Sequence, residues 1–509
     1  MNLRELLTDI DIIDISCLID GEVASVCYDS RKCKEGSLFV AVPGFKSDGH
    51  DFINSAVAAG AKYIVVEKEM PVPEGITVIE VRDARRALGL LGRNFYRNPS
   101  SELCIIGVTG TNGKTTTTFL LESILKSAGA RPGVIGTINY RYGNNILPAP
   151  NTTPESLDLQ RILREMADAG VSHVIMEVSS HALDLGRVDD CQFQAGIFTN
   201  LTQDHLDYHK TMEEYFQAKK RLFEMLVKSG NGAKSILNID DPWVARLQKE
   251  MPDSFLTCAI DHTADFSVFD IQLSVHGIKT QIQTQGESFA IQSPLIGKFN
   301  LYNILSAVST AYALKIPVTA IQDGIKGLKN IPGRMEKVSF AGEPSVFVDY
   351  AHTDDALRRA LQNIAEFKEK RVITVFGCGG DRDSGKRPLM GKVAVEYSDL
   401  TILTSDNPRS ENPATIIGQI EQGINGFCRR YSPEELDNGI ISREKGYCII
   451  ADRRAAIHTA IALAGSSDIV LIAGKGHENY QIIGNEVLTF DDRVVSREIF
   501  HELKAGGRN

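Results

Sequence analysis

Several stretches of the chain gather side chains that can bind phosphate, hold a cation or recognise a carboxylate. The first is Gly107-Val-Thr-Gly-Thr-Asn-Gly-Lys-Thr-Thr116. Gly110 and Gly113 let backbone N–H groups turn inward on an anion. Lys114 can reach outer phosphates, and Thr115 can offer its hydroxyl to Mg²⁺. The usual pattern G-x-x-x-x-G-K-[ST] calls for glycine at 108, where the chain has Val108, with its glycine one place earlier at Gly107. The spacing therefore predicts a variant nucleotide loop. The second stretch is Val174-Ile-Met-Glu-Val-Ser-Ser-His181. Glu177 closes an apolar run, and a carboxylate at the C-terminal end of a strand in a phosphate-loop domain is placed to hold Mg²⁺. The competing reading is a solvated strand-end carboxylate; the neighbouring Ser179, Ser180 and His181 favour a site. The third, Thr199-Asn-Leu-Thr-Gln-Asp-His-Leu-Asp-Tyr-His209, brings Asp204, His205, Asp207 and His209 within one short segment. Such groups can ligate a divalent ion, although Zn²⁺ would want a fuller His/Cys set.

These residues need elements to position them. An apolar run at 103–108 reads as a buried strand, and 115–129 as the helix that the glycine loop opens. Further strand candidates at 174–178, 195–198 and 235–239 alternate with helical patterns, which predicts a largely parallel sheet. Upstream, strands at 37–42 and 62–67 flank a helix at 51–59 and form a smaller α/β unit, ending near Arg97-Asn-Pro-Ser-Ser101. At 265–293 polar and apolar residues alternate, as in antiparallel strands with one wet face, and a helix follows at 301–314. From Ile331-Pro-Gly-Arg334 onward the alternation resumes, with strands at 346–348, 372–376, 400–404 and 469–472. Asp452 and Gly465 supply start and stop signals for a helix at 453–464. Gly377-Cys-Gly-Gly380 fails as a dinucleotide fingerprint because the sixth position is Arg382. The expectation is an α/β protein of three domains, at 1–98, 99–330 and 331–509.

Composition narrows the class. The chain has 509 residues, 43% hydrophobic and 24% charged, as in ordinary globular proteins. A net charge of −10 argues against nucleic acid as the main partner. The nine cysteines form no C-x-x-C pair and read as reduced thiols, so a cytoplasmic setting is expected. Neither a signal peptide nor a membrane-inserting segment is evident.

Taken together, these motifs resemble the Mur ligase family of amino-acid-adding enzymes of peptidoglycan synthesis, and the resemblance runs over essentially the whole chain. It implies a small N-terminal domain for the UDP-sugar, a central P-loop ATPase domain on a parallel sheet, and a C-terminal Rossmann-like domain for the amino acid. It accounts for the glycine placement and implies ATP contacts at Gly110, Thr111, Asn112, Gly113, Lys114, Thr115 and Thr116. Asn300 in FNLYN, Arg334 in PGRME and Asp349 in DYAH match further ATP positions. Thr115, Glu177, His205 and Lys219 match the family's Mg²⁺ site, with Lys114, Lys219 and His205 in catalytic roles. Lys219 matches a carbamylated lysine, and Lys220 is its sequence competitor. An unmodified lysine, with a reference pKa of about 10.4, would repel a neighbouring cation, whereas a carbamate is anionic.

Within the family, the chain resembles the branch that adds the third residue. Ser30 in Asp29-Ser-Arg31, together with Gly44-Phe-Lys-Ser-Asp-Gly49, matches the uridine-nucleotide domain. Asn151, Thr152, Thr153, Ser179 and Arg187 match contacts to the sugar nucleotide and its peptide. Asp406-Asn-Pro-Arg409 is the form associated with meso-diaminopimelate rather than lysine, and Arg382, Gly474 and Glu478 match the other amino-acid contacts. The physical logic is that Arg409 can grip a second carboxylate with two parallel bonds but would repel the ammonium that ends a lysine. The implied partners are a UDP-N-acetylmuramoyl dipeptide, meso-diaminopimelate and ATP, with a monomer expected. Alternatives are a lysine-adding homologue, a folylpolyglutamate-synthase-like ligase, or a P-loop switch protein that uses none of Glu177, His205 and Lys219. One departure is Asp354, where the family usually has proline.

Overall fold

The computed structural model describes residues 1–16, 21–44, 47–230, 232–251, 255–340, 342–437 and 444–505. Cys17, Phe45 and Lys46 lie outside the described residues. The chain forms two compact units: one holds Met1–Val268, Ile282–Phe289 and Tyr302–Ile325, the other Phe269–Gln281, Ala290–Leu301 and Lys326–Asn509.

The first unit contains two sheets. The N-terminal sheet has five strands, of which Ser25–Cys27, Ser37–Val40, Ala61–Val66 and Thr77–Val81 run parallel and Ile12–Ile15 closes one edge antiparallel. The expected helix at 51–59 is Ile53–Ala58, entered through a single 3₁₀ turn. The larger sheet has eight strands. Its parallel part orders Phe255–Cys258, Lys234–Asn238, Phe193–Phe198, Cys104–Thr109, His173–Glu177 and Pro132–Ile135 side by side. Short antiparallel strands, Tyr140–Tyr142 and Asn145–Leu147, finish one edge. These strands are buried on both faces, which explains their near-continuous Val/Ile/Leu content. Lys114–Ser127, Ser156–Asp168 and Met212–Ser229 are the principal helices, and the last starts on a Thr211 hydroxyl that accepts from the Glu214 N–H.

Gly107 is not a displaced loop glycine. It lies inside the strand Cys104–Thr109, where a Cβ would stand 2.9 Å from the Phe193 ring. Val108 is fully buried. The loop begins at Gly110, so the glycine at 107 serves close packing of the sheet face.

The second unit is built on a seven-stranded sheet. Ser345–Asp349, Ile469–Ala473, Val372–Phe376, Leu400–Leu403, Gly446–Ile449 and Arg429–Arg430 run parallel in that order, and Glu336–Lys337 pairs antiparallel at one edge. Apolar clusters fill both faces, one around Phe347, Phe376 and Leu471, the other around Val346, Ile402 and Ile472. The helix Arg453–Leu463 starts where expected, with the Asp452 carboxylate accepting from the Ala455 N–H at 2.7 Å. Asp354 opens the helix Asp354–Ala365 after the Thr353 cap. An acidic residue in a first turn suits the positive end of the helix dipole, so the departure from proline costs the fold little. The alternating stretch forms a three-stranded sheet of Ser267–Ser274, Gly277–Gln283 and Ser288–Ser293. No helix among the described residues is long and apolar enough to cross a membrane.

Candidate active site

Three adjacent parallel strands of the first unit end at one edge of the sheet. Register aligns Glu177 with Val108 and Phe198 with Thr109, so Glu177, the glycine loop and Thr199 leave the sheet side by side. The carboxyl edge of an open parallel sheet is where such folds bind ligands. The loop is latched rather than loose. Asn112 N–H donates to the Asn200 side-chain oxygen at 3.0 Å, Asn200 Nδ2 returns to the Asn112 carbonyl at 3.1 Å, and Thr111 N–H reaches the Asn200 carbonyl at 2.9 Å. The Thr199 hydroxyl donates to the Asn112 carbonyl at 2.6 Å.

Two lysines converge on this loop. Lys114 Nζ lies 2.9 Å from the Gly110 carbonyl and from that of Thr111, and Lys219 Nζ lies 3.0 Å from the Gly110 carbonyl. Lys219 is buried, 4.5 Å from the centre of the Tyr215 ring. Burial, with Lys114 beside it, pushes the Lys219 amine well below the usual lysine range, against a smaller opposing pull from Asp204. Lys220 instead pairs with Glu250 at 2.9 Å. Of the two neighbouring lysines, only Lys219 faces the loop.

Glu177 is buried and fully engaged. Its carboxylate accepts from the Thr115 hydroxyl at 3.1 Å, the Thr137 N–H at 3.1 Å and the Thr137 hydroxyl at 2.9 Å. A carboxylate flanked by hydroxyls is an oxygen donor set suited to a hard cation such as Mg²⁺, which keeps waters and substrate phosphates as its other ligands. Among the described residues, no three His, Cys, Asp or Glu side chains group closely enough to hold a metal by themselves. His205 is 47% exposed in its side chain and holds a left-handed backbone, with φ 54°. It belongs to an aromatic cluster in which the His181 ring lies 5.0 Å from that of His205 and 5.5 Å from that of His209. Burial and its imidazole neighbours hold His181 down to about 4.

Beside Glu177, the residues expected to contact the sugar nucleotide come together. The Thr153 hydroxyl donates to the Glu177 carbonyl at 2.8 Å and accepts from the Ser179 N–H at 3.1 Å. Arg187 Nη1 donates to the Thr153 carbonyl at 3.3 Å, and the Thr152 hydroxyl meets that of Thr137 at 3.1 Å. The Asn151 carbonyl accepts from the Tyr140 hydroxyl. Ser30 sits apart, buried at the start of a 3₁₀ turn that Asp29 caps. Its neighbour Tyr28 donates to Asp158 at 2.6 Å.

In the second unit, register aligns Asp349 and Phe376 with Ala473, and Phe376 with Leu403. Asp349, Gly377, the 404–409 loop and Gly474 therefore share one carboxyl edge. Asp349 accepts from the Met335 N–H at 2.7 Å and the Ala351 N–H at 2.9 Å, and burial raises its pKa. Arg334 stacks 5.1 Å over the Tyr350 ring. Asn300 is buried, with Nδ2 on the Ile296 carbonyl at 2.8 Å.

The amino-acid residues form a network. Asn407 Nδ2 donates to Glu478 at 2.9 Å, while its oxygen accepts from Lys475 Nζ at 3.2 Å and the Ile482 N–H at 2.9 Å. A Cβ on Gly474, whose φ is +114°, would lie 2.5 Å from an Asp406 oxygen. Arg409 Nη1 donates to the Gly380 carbonyl at 2.7 Å. Pro408 is buried, and Arg382 is exposed, with Nη1 3.3 Å from the Asp381 carbonyl. Burial raises the Glu478 carboxyl and lowers the Lys475 amine.

Sequence reasoning missed Thr137, Asn303, Lys475 and the pair Arg387–Glu411. Asn303 carried a readable signal: it follows Asn300 by three places on one helix. A Cβ at Gly113 would stand 2.2 Å from its side-chain oxygen, inside the loop.

Residues 22–96 match the Mur ligase family catalytic domain, 108–311 the Mur ligase middle domain, and 333–476 the Mur ligase glutamate ligase domain. A curated UDP-N-acetylmuramoyl-L-alanyl-D-glutamate–2,6-diaminopimelate ligase from Geobacter metallireducens is 45% identical over 512 residues, covering 100% of both chains. The chain belongs to the Mur ligase family. The enzyme of the same name from Clostridium perfringens is 43% identical to this Mur ligase, over 98% of this chain and 99% of its own. A solved structure of a ligase with that name superposes at TM-score 0.71, with 34% identity and 99% of each chain covered. The MurF ligase of Thermotoga maritima, solved with ADP, shares the fold at TM-score 0.60 and 20% identity, over 94% of this chain and 96% of that one. The mixed α/β architecture with parallel-rich sheets is that of the Mur ligases, and the enzyme is an ATP-dependent ligase of amino acids.

Proposed function

We propose that this Mur ligase joins meso-diaminopimelate to the γ-carboxylate of D-glutamate in UDP-N-acetylmuramoyl-L-alanyl-D-glutamate, with ATP as co-substrate, in cytoplasmic peptidoglycan precursor synthesis. The observation that carries the substrate choice is the carboxyl edge of the second unit. There Asn407 holds Glu478, and Arg409, a cation with a fixed fork tied to the Gly380 carbonyl, lies near enough to draw on the Glu478 charge. A dicarboxylate with an amine at each end offers that set complementary charges; lysine lacks the second carboxylate. The full-length relatives named for this reaction support the same choice.

The chemistry activates a poor acyl donor. The γ-carboxylate attacks the γ-phosphorus of ATP, ADP departs, and an acyl phosphate remains. The neutral amine of diaminopimelate adds to that carbonyl carbon, and phosphate leaves. The protein's part is to hold charges in place. Lys114 and the N–H groups at the start of the helix Lys114–Ser127 offset phosphate charge, while those of Thr111 and Asn112 are held by Asn200. The ATP contacts that the family resemblance implies are Thr116 in the first unit and, in the second, Asp349, Asn300 and Arg334, which stacks on Tyr350. Ser30, Asn151, Thr152, Thr153, Ser179 and Arg187 receive the UDP-sugar and its peptide.

Glu177, with the Thr115 hydroxyl, His205 and carbamylated Lys219, would hold Mg²⁺, which when bound neutralises developing phosphate charge. Lys219 suits carbamylation because only a neutral amine adds to CO₂, and its burial favours the neutral form. The three-domain division at 98 and 330 is supported by three family domains that match separate stretches. A competition assay tests the substrate: with diaminopimelate and lysine at equal concentration, the product mass should report diaminopimelate, and preferential lysine transfer would overturn the reading.

A further inference from the structure

Outside the residues expected from sequence, the second unit buries a further cation, Arg387. It stands on the helix Lys386–Tyr397 and is 0% exposed. Its guanidinium forks onto Glu411, with Nη1 on one oxygen and Nη2 on the other, both at 2.8 Å. Nη2 also donates to the Gly379 carbonyl at 3.0 Å, and Nη1 to Gln419 at 2.6 Å. Glu411 in turn accepts from the Asp381 N–H at 2.6 Å. The Arg387 hydrogen bonds hold the Glu411 carboxyl at about 2, helped by the Asp381 N–H.

This pair grips one of two loops that are fastened to each other. The Gly380 N–H donates to the Asn407 carbonyl at 2.9 Å. Arg409 Nη1 donates to the Gly380 carbonyl at 2.7 Å, and the Ser410 hydroxyl to Asp381 at 2.6 Å. No side chain could fit at 380, where a Cβ would stand 1.8 Å from the Pro408 carbonyl. Asp381 and Arg409 both hold left-handed backbone, with φ of 52° and 51°. Non-glycine residues keep that conformation only where their surroundings over-determine it. Arg387 and Glu411 supply that constraint on the Gly379–Asp381 side, and through Gly380 it reaches the Arg409 fork.

We propose that Arg387 and Glu411 are positioning residues that set the Arg409 fork, and through it the discrimination of a substrate's distal carboxylate from a lysine ammonium. This rests on the diaminopimelate reading above. Neither residue need touch substrate.

The test is steady-state kinetics on the full chain, varying each substrate in turn, with thermal melting as a check on folding. Glu411→Gln keeps the shape but removes the charge that both nitrogens of Arg387 share. The expected result is a KM for diaminopimelate raised about tenfold or more, the scale of a small misplacement of a binding group. KM values for ATP and the UDP-dipeptide should stay within about twofold. The preference for diaminopimelate over lysine should fall in proportion. Ser410→Ala, a milder surface cut in the same tie, should move the same two readouts in the same direction, and Glu411→Asp should recover part of the loss. An unchanged KM for diaminopimelate in folded variants, or all three KM values rising together, overturns the proposal. If the unmodified enzyme transfers no diaminopimelate, the parent reading fails and this proposal fails with it; normal transfer with an unmoved KM in the variants removes this proposal alone.

Discussion

The Gly110 carbonyl is the point on which both loop lysines converge, so Gly110→Ala perturbs the phosphate site at its centre. Its φ is +138°, and a Cβ would lie 1.9 Å from the Thr199 hydroxyl oxygen and 3.0 Å from the Asn200 carbonyl oxygen. Placing alanine in a positive-φ conformation costs about 1–2 kcal/mol. Thr199 must also rotate away, giving up its bond to the Asn112 carbonyl, worth about 1 kcal/mol. The Asn200 backbone lies too close to absorb the rest without shifting the latch that holds Thr111 and Asn112. The sum, about 2–4 kcal/mol, falls on the loop and not on a sheet core. At about 1.4 kcal/mol per factor of ten, kcat/KM for ATP should drop roughly 30-fold to 1,000-fold. A matched control is Gly129→Ala: its φ is +76° but a Cβ there meets nothing within 4 Å. The control should lose about 1 kcal/mol of stability and keep its activity. ADP release dependent on the UDP-dipeptide and diaminopimelate is the assay. A Gly110→Ala enzyme within threefold of the unmodified one would refute the reasoning.

Native mass spectrometry of the peptide bearing Lys219 should show the added mass of one CO₂, lost on acidification. Lys219→Ala should cut ADP release by about two orders of magnitude, the scale for removing one preorganised charge partner, while Lys220→Ala should stay near normal. Arg453 and Asp492 are both 0% exposed in their side chains and joined by two bonds of 2.7 Å, with Arg453 also donating to the Ala473 and Ser405 carbonyls. Asp492→Asn strands a buried cation and should cost about 3–5 kcal/mol by denaturant unfolding; a loss under 1 kcal/mol would contradict that pairing. His477 is held down to about 4 by burial and by Arg334 and Arg493. A depressed base stays neutral when folded, so unfolding takes up a proton as pH falls. Its stabilising effect is present above about pH 6.5 and lost towards pH 4, so the melting temperature should fall across that window and His477→Gln should flatten the fall.

The parallel architecture was legible because double burial leaves a plain mark: runs such as 103–108 and 372–376 are apolar without alternation, between helical periods. The alternating stretch at 265–293 was legible for the converse reason, and its strand Ser288–Ser293 buries every second residue. Short or polar elements were missed. Thr77–Val81 and the hairpin of Tyr480–Ile483 with Glu486–Thr489 carry too little periodicity to stand out. At the site, residues within contiguous motifs could be read, because glycine, lysine and acid types at set spacing have few other uses. What could not be read was how those motifs are held. Glu177 depends on Thr137, 40 places away, and Asp381 on Glu411, 30 places away. Such pairings are set by strand order, which a one-dimensional pattern does not contain. The same holds for Gly107, whose spacing suggested a loop variant and whose reason is the Phe193 ring packed against it.

In the proposed reaction ATP is consumed to join meso-diaminopimelate to the UDP-dipeptide. The most direct measurement follows both products at once: ADP by a coupled assay and the UDP-muramoyl product by mass. One ADP is expected for each diaminopimelate joined, with neither formed when the UDP-dipeptide is withheld. ADP release at the full rate without that acceptor, or a product carrying lysine in preference to diaminopimelate, would contradict it.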